Sequence, residues 1–176
     1  MSWLRTNTIA LIALAGLAPG LGGCGFHPLY GADPDRVSTA ALESIDITPI
    51  PDRQGQIIYN FLRDELNPQG RPAQPRYILD VGLTNRTDEL AVRSDQTATR
   101  IDLTIIATYK LHAIDSETPV LTGVSRSITS FNIVSSPYAT MTSKEDAERR
   151  AGRQISEDIH NRIATYLLSA SASTQP

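Results

Sequence analysis

Arg100-Ile-Asp-Leu-Thr-Ile-Ile-Ala-Thr-Tyr-Lys-Leu-His-Ala-Ile114 decides the fold. Ile101, Leu103, Ile105, Ala107, Tyr109 and Leu111 occupy alternate positions, against Arg100, Asp102, Thr104, Thr108, Lys110 and His112. Successive side chains of a strand point to opposite faces, so this period of two predicts a long strand with one face for a core and one polar face. The flanking sequence repeats the pattern. Before it, Tyr77, Leu79, Val81 and Leu83 share one face, opposed by Asp80, Thr84 and Arg86. After it, Asp115-Ser-Glu-Thr118 supplies a hairpin turn, and Val120 to about Ile133 returns as an antiparallel partner rich in Ser and Thr. None of these strands reads as buried on both faces.

Two helices and a short strand complete the pattern. Ser44-Ile-Asp-Ile-Thr48 alternates over a few residues, and Pro49 and Pro51 end it. Asp52 is placed to cap the helix that follows. Ile57, Ile58, Phe61, Leu62 and Leu66 lie on one side of that helix, and Asn67-Pro68 stops it. Near the other end of the chain, Ser143 with Asp146 three residues on resembles a capping box. Behind it, Ala147, Ala151, Ile155, Ile159, Ile163, Tyr166 and Leu167 form a helical stripe. The remaining sides carry Glu145 with Arg149, Asp146 with Arg150, Arg153 with Glu157 and Asp158 with Arg162, oppositely charged and four apart, as on a solvated face. The order β-α-β-β-β-α predicts an α+β two-layer sandwich, with two helices packed on one face of a four-stranded mixed sheet. The expected boundaries are a single domain over 41–169 and a flexible tail over 170–176. The uncovered Thr, Ser, Asp and Arg face of the sheet is the surface expected to meet a partner.

Composition removes several classes of function. The chain has 176 residues, with 40% apolar, 20% charged and a net charge of −3, which suits an ordinary globular domain and gives no basic footprint for nucleic acid. One cysteine and three separated histidines, His27, His112 and His160, leave no disulfide framework and no metal-ligand spacing. The acid pairs Asp64-Glu65, Asp88-Glu89 and Glu145-Asp146 are sequence neighbours that diverge in direction, so they cannot flank one bond as acid and base. His112 near Asp115 and Ser116 sits on a hairpin turn without an oxyanion-hole motif. No enzyme motif, metal site or cofactor is expected.

The amino-terminal segment reads as an address. A short polar start with Arg5 precedes the apolar run from Ile9, and the run falls short of the roughly 20 apolar residues that cross a bilayer. Leu21-Gly-Gly-Cys24 resembles a bacterial lipobox, which implies a signal peptide over 1–23, cleavage between Gly23 and Cys24, and an N-acyl and S-diacylglycerol lipid on Cys24. Several acyl chains on one residue hold a protein to a leaflet without a crossing helix. The lack of a second thiol suits an oxidising periplasm. Residues 24–40, rich in turn formers, read as a tether.

Cys24-Gly-Phe-His-Pro-Leu-Tyr-Gly31, directly behind the lipobox, resembles the mature start of the LptE family of lipopolysaccharide-assembly lipoproteins, in its alphaproteobacterial form. Further along, the likeness is one of layout: a short strand, the helix holding Tyr59-Asn60-Phe61-Leu62, a three-stranded meander and a long final helix opened by Asp146-Ala147. The resemblance implies an outer-membrane lipoprotein that plugs the β-barrel LptD, with lipopolysaccharide as cargo and the outer membrane reached through the lipid. Gly25 behind the cysteine agrees with outer-membrane sorting. Because lipopolysaccharide carries phosphates and carboxylates, Arg86, Arg93, Arg100 and Arg126 are the candidate ligand or partner contacts. Two other readings stay open: an auxiliary lipoprotein of an ABC-type phospholipid transporter, and a periplasmic lipoprotein enzyme.

Overall fold

A computed structural model describes residues 40–91 and 99–172. The signal segment, Gly23, Cys24, most of the tether, Arg93 and the last four residues lie outside the described residues. After a helical turn over 40–42, the elements are β1 (Ile45–Ile47), α1 (Asp52–Leu66), β2 (Tyr77–Ala91), β3 (Thr99–Ala113), β4 (Pro119–Ile133) and α2 (Pro137–Ala172). The sheet order is β1-β2-β3-β4. β1 runs parallel to β2, and β2, β3 and β4 form an antiparallel meander. The architecture is the expected α+β sandwich with a mixed sheet, preceded by the extra helical turn.

The core lies where the alternation places it. Leu103, Ile105, Ala107, Tyr109 and Leu111 of β3 are at most 1% exposed, and they meet Leu79 and Val81 of β2, Ile58 and Leu62 of α1, and Ile155, Ile159 and Ile163 of α2. Two glycines let the layers approach. A Cβ on Gly123 of β4 would lie 2.3 Å from the Tyr109 hydroxyl of the neighbouring strand, so the aromatic ring occupies the space above the glycine. A Cβ on Gly152 of α2 would lie 2.8 Å from Ile57 Cγ2, marking the close crossing of the two helices. Ser156 donates there to the Ile58 carbonyl at 3.3 Å and to its own Gly152 carbonyl at 2.9 Å.

Element lengths decide how far the second layer reaches. Strands of 15 residues extend about 50 Å. The 36 residues of α2 span about 54 Å, whereas the 15 of α1 span about 22 Å. Only α2 can follow the full sheet. Gln54, in the first turn of α1, receives a hydrogen bond from Asn85 at 2.6 Å. Beyond that point β2 has little cover, and Arg86, Thr87 and Glu89 are exposed. The other end of α1 is tied to β1 by buried Asn67, whose amide donates to the Ile45 carbonyl at 3.1 Å and the Glu43 carbonyl at 3.3 Å.

Three expectations about helix ends and charge pairs change. First, α2 starts at Pro137, not near Ser143. Ser136 caps it, its hydroxyl accepting from the Ala139 amide at 3.4 Å, and Pro137 supplies a first helical residue that needs no donor. At its far end the helix continues through Ala170 to Ala172, a stretch that the composition suggested was tail. Second, Asp52 does not cap α1. Pro51 takes the cap position without a side-chain bond, and Asp52 opens the helix at a φ of 69°, a conformation Asp tolerates better than most residues. Ile50 is buried against this first turn, so close to Gly55 that a Cβ there would lie 2.7 Å from Ile50 Cγ2. Third, only Asp146 with Arg150 and Asp158 with Arg162 pair along α2. Glu145 instead pairs with Arg53 of α1 at 2.8 Å, and Arg153 stacks over the Phe61 ring at 4.9 Å. The packed neighbour helix offers both side chains a partner that an isolated helix lacks.

Candidate docking face

The even-numbered residues of the meander form the side of the sheet that no helix covers. Register aligns them in rows across β2, β3 and β4: Asp88, Asp102 and Ser130; Arg86, Thr104 and Ile128; Thr84, Ile106 and Arg126; Gly82, Thr108 and Val124; Asp80, Lys110 and Thr122. This face is not polar throughout, as the alternation had implied. Val124 and Ile128 are 53% and 52% exposed, and half-buried Ile106 lies between them and β2. The sequence signal was the Ile105-Ile106 doublet, because two adjacent strand residues necessarily place one Ile on each side. Hydroxyls, arginines and aliphatic side chains alternate there, which suits a protein surface better than a small ligand.

The structure brings three of the four candidate arginines to this face but does not converge them on a pocket. Arg86 pairs with Asp88 of its own strand at 2.9 Å. Arg100 donates to Ser130 Oγ at 3.2 Å, and that hydroxyl donates to Asp102 at 2.6 Å. Arg126 is exposed and has no ion-pair partner among the described residues. Arg86 and Arg126 stand two strands apart, about 10 Å across the sheet. Exposed pairs such as Arg86–Asp88 contribute about 0–1 kcal/mol, so an incoming carboxylate or phosphate can displace them at little cost. Arg93, the fourth candidate, lies outside the described residues.

A shallow recess of about 500 Å³ opens at the hairpin end, lined by Ile78, Asp80, His112, Ile114, Asp115 and Glu117 among others. His112 Nδ1 is 3.0 Å from the Glu117 carbonyl, the geometry of an N–H donor, and its Nε2 is 3.6 Å from Asp80. Asp80 also accepts from the Thr48 hydroxyl at 2.6 Å. Ser116 is engaged within the turn, bonded to the Thr118 backbone, and so is not aligned with His112 for nucleophilic attack. Among the described residues, no group of His, Cys, Asp and Glu has the arrangement to hold a metal ion.

The helix side carries a carboxyl perturbed by burial that the sequence pattern did not mark. Glu65 of α1 has a carboxylate oxygen buried without a hydrogen-bond partner among the described residues. Burial first, and the facing Glu157 second, push its carboxyl up to about 7 from an ordinary 4.5, while Arg153 works in the opposite direction. His160 of α2 is held low by burial. Both groups lie away from the open sheet face.

The LptE family profile, described as lipopolysaccharide-assembly, matches residues 42–163. The match spans the whole sheet, all of α1 and most of α2. The chain belongs to the LptE family. Because the match begins beyond Gly31, it is independent of the segment behind Cys24. An uncharacterized protein of Rickettsia prowazekii (strain Madrid E) is 28% identical over 127 residues, covering 72% of this chain and 79% of that relative. The LptE-family fold also recurs in solved structures. A protein of Caulobacter crescentus CB15 assigned as a lipoprotein superposes with a TM-score of 0.64 at 21% identity, over 80% of this chain and 98% of that one. The minor lipoprotein of Acinetobacter baumannii gives a TM-score of 0.56 at 14% identity, over 70% of this chain and 94% of that one. No described helix of this LptE-family chain is long and apolar enough to cross a membrane.

Proposed function

We propose that this LptE-family protein is a non-catalytic outer-membrane lipoprotein, anchored by acyl chains on Cys24, that serves as the plug and assembly partner of an LptD-type β-barrel carrying lipopolysaccharide to the outer leaflet. The observation that carries the reading is the family match over residues 42–163. The open sheet face gives it a physical basis. The lumen of a large barrel is polar and studded with hydrogen-bonding groups, and a face alternating exposed Thr84, Thr108 and Thr122 with Ile106, Val124 and Ile128 offers both hydroxyls and apolar contact. Arg86, Arg100 and Arg126 on that face are the proposed contacts for carboxylates or phosphates of barrel or lipid, with Arg93 as the fourth. The lipoprotein descriptions of the Caulobacter and Acinetobacter structures support the anchor.

Photocrosslinking in intact cells tests the docking. A photoreactive residue at Thr108 or Thr122 is expected to capture an integral barrel protein, whereas one at Arg149, exposed on α2, is expected to capture less. Copurification with an ABC transporter in place of a barrel would overturn the plug and favour the transporter-lipoprotein reading. Cys24→Ala tests the anchor separately: the expected outcome is unprocessed precursor or protein released from the membrane fraction. Normal acylated product from that variant would refute lipidation at this residue.

A further inference from the structure

β4 forms one edge of the sheet, and among the described residues its outer side is largely unguarded. α2 does not cover it. Side chains from the core side of β4 reach down to that helix, Ser127 donating to Gln154 at 2.8 Å and Thr129 to the Ala147 carbonyl at 3.1 Å, so α2 lies beneath the strand and not beside it. At one end the edge is interrupted by Pro119 and by a bulge at Val120, where the register jumps between Leu111 and His112. At the other end Arg150 donates to the Ser130 carbonyl at 3.1 Å. That bond shows that the Ser130 carbonyl points away from β3. Outward and inward groups alternate along an antiparallel strand, so Thr122, Val124, Arg126 and Ile128 also turn their N–H and C=O groups outward. Between the two guarded ends there is no Pro and no Lys, and the single charge is Arg126. Natural edges normally carry such devices, because a bare edge pairs with another strand.

The geometry points to a second copy of this chain as the occupant: two β4 strands pair antiparallel about Val124 and continue the sheet across a two-fold axis. Centring on Val124 sets that residue against its own copy and Thr122 against Arg126, with Ile128 reaching the bulged end at Val120, where the ladder stops. Exposed aliphatic groups then meet one another, and the lone cation faces a hydroxyl. The neighbouring alignments are worse on charge and apolar grounds. Centring on Arg126 opposes two guanidiniums, a destabilising like-charge pair. Centring on residue 125 sets Arg126 against Val124 and Ile128 against Thr122. The pairing is a property of the chain alone and does not rest on the barrel reading.

The test uses the full chain, purified in detergent, with mass measured by light scattering over a range of protein concentrations. Wild type is expected to double its protein mass as concentration rises. Thr122→Pro removes one outward N–H while leaving the bonds to β3, a tolerated edge position for proline, and is expected to abolish the dimer. Val124→Lys places two cations on the axis and is expected to do the same with an unchanged circular dichroism spectrum, which covers the case in which the proline variant fails to fold. Val124→Cys is expected to form a disulfide-linked dimer on mild oxidation, faster than Ile128→Cys alone. A wild-type monomer at every concentration would overturn the inference. So would a dimer that survives Val124→Lys, or equal crosslinking from positions 124 and 128.

Discussion

The two faces of β3 come from one stretch of sequence and end in different environments. Its odd residues from Ile101 to Leu111 are 0–8% exposed, locked between β2, β4 and the helices. Its even residues lie on the open face, where Thr108 and Lys110 are exposed and Ile106 is half-buried, although Thr104 among them is buried. Both faces contain isoleucine, so apolar character alone does not decide burial. The decisive factor is which face receives a second layer. α2 is long enough to run the length of the meander, packing chiefly against β4, and it brings one continuous stripe of Ala and Ile to the odd side. The even side is left to whatever the protein meets.

That contrast can be broken most severely from the covered side. Ile159→Asp puts a carboxylate at a fully buried position of α2 with no cation to meet it, and is expected to lower unfolding free energy by about 4 kcal/mol or more. An unchanged urea midpoint would mean that the stripe does not face the core. Gly123→Ala is the next largest. The new methyl group would collide with the Tyr109 ring, which is 1% exposed and cannot swing away, and overpacking of this kind costs about 1–3 kcal/mol. Its check is a lower thermal midpoint that Tyr109→Phe does not restore, because the ring carbons Cζ and Cε1 would still collide with the new methyl group.

Glu65 sharpens the comparison through pH. Its carboxyl is pushed up to about 7 in the folded chain against an ordinary 4.5, so within that window the folded state binds the proton more tightly than the unfolded one. Stability contributed by this group therefore declines as pH rises from 4.5 towards 7 and levels off above, since the unfolded state holds fewer protons throughout the window. Chemical denaturation of wild type and Glu65→Gln at several pH values should show the wild type losing ground to the variant across this window. Parallel curves would remove Glu65 as the cause. The smallest effect belongs to the open side: Ile128→Ser, at a site 52% exposed, should change stability by no more than about 0.5 kcal/mol in a monomer. A loss comparable with that of a core position would show that the open face is packed in the isolated chain.

The sequence by itself determined the element order, the face of each strand that joins the core, the buried stripe of α2 and the likeness to LptE. These are local matters, since a period of two or of about four residues states which side chains share a face before any partner is known. Tertiary structure decided the rest. It set where α2 begins, because Ser136 and Pro137 precede any apolar repeat. It redirected Glu145 and Arg153 from their own helix to Arg53 and Phe61 of α1. It also set Ile106 beside Arg126 on the open face and exposed the edge of β4. Each of these depends on which residues distant in the chain come to lie side by side, and register between separated segments is fixed by packing of the whole fold.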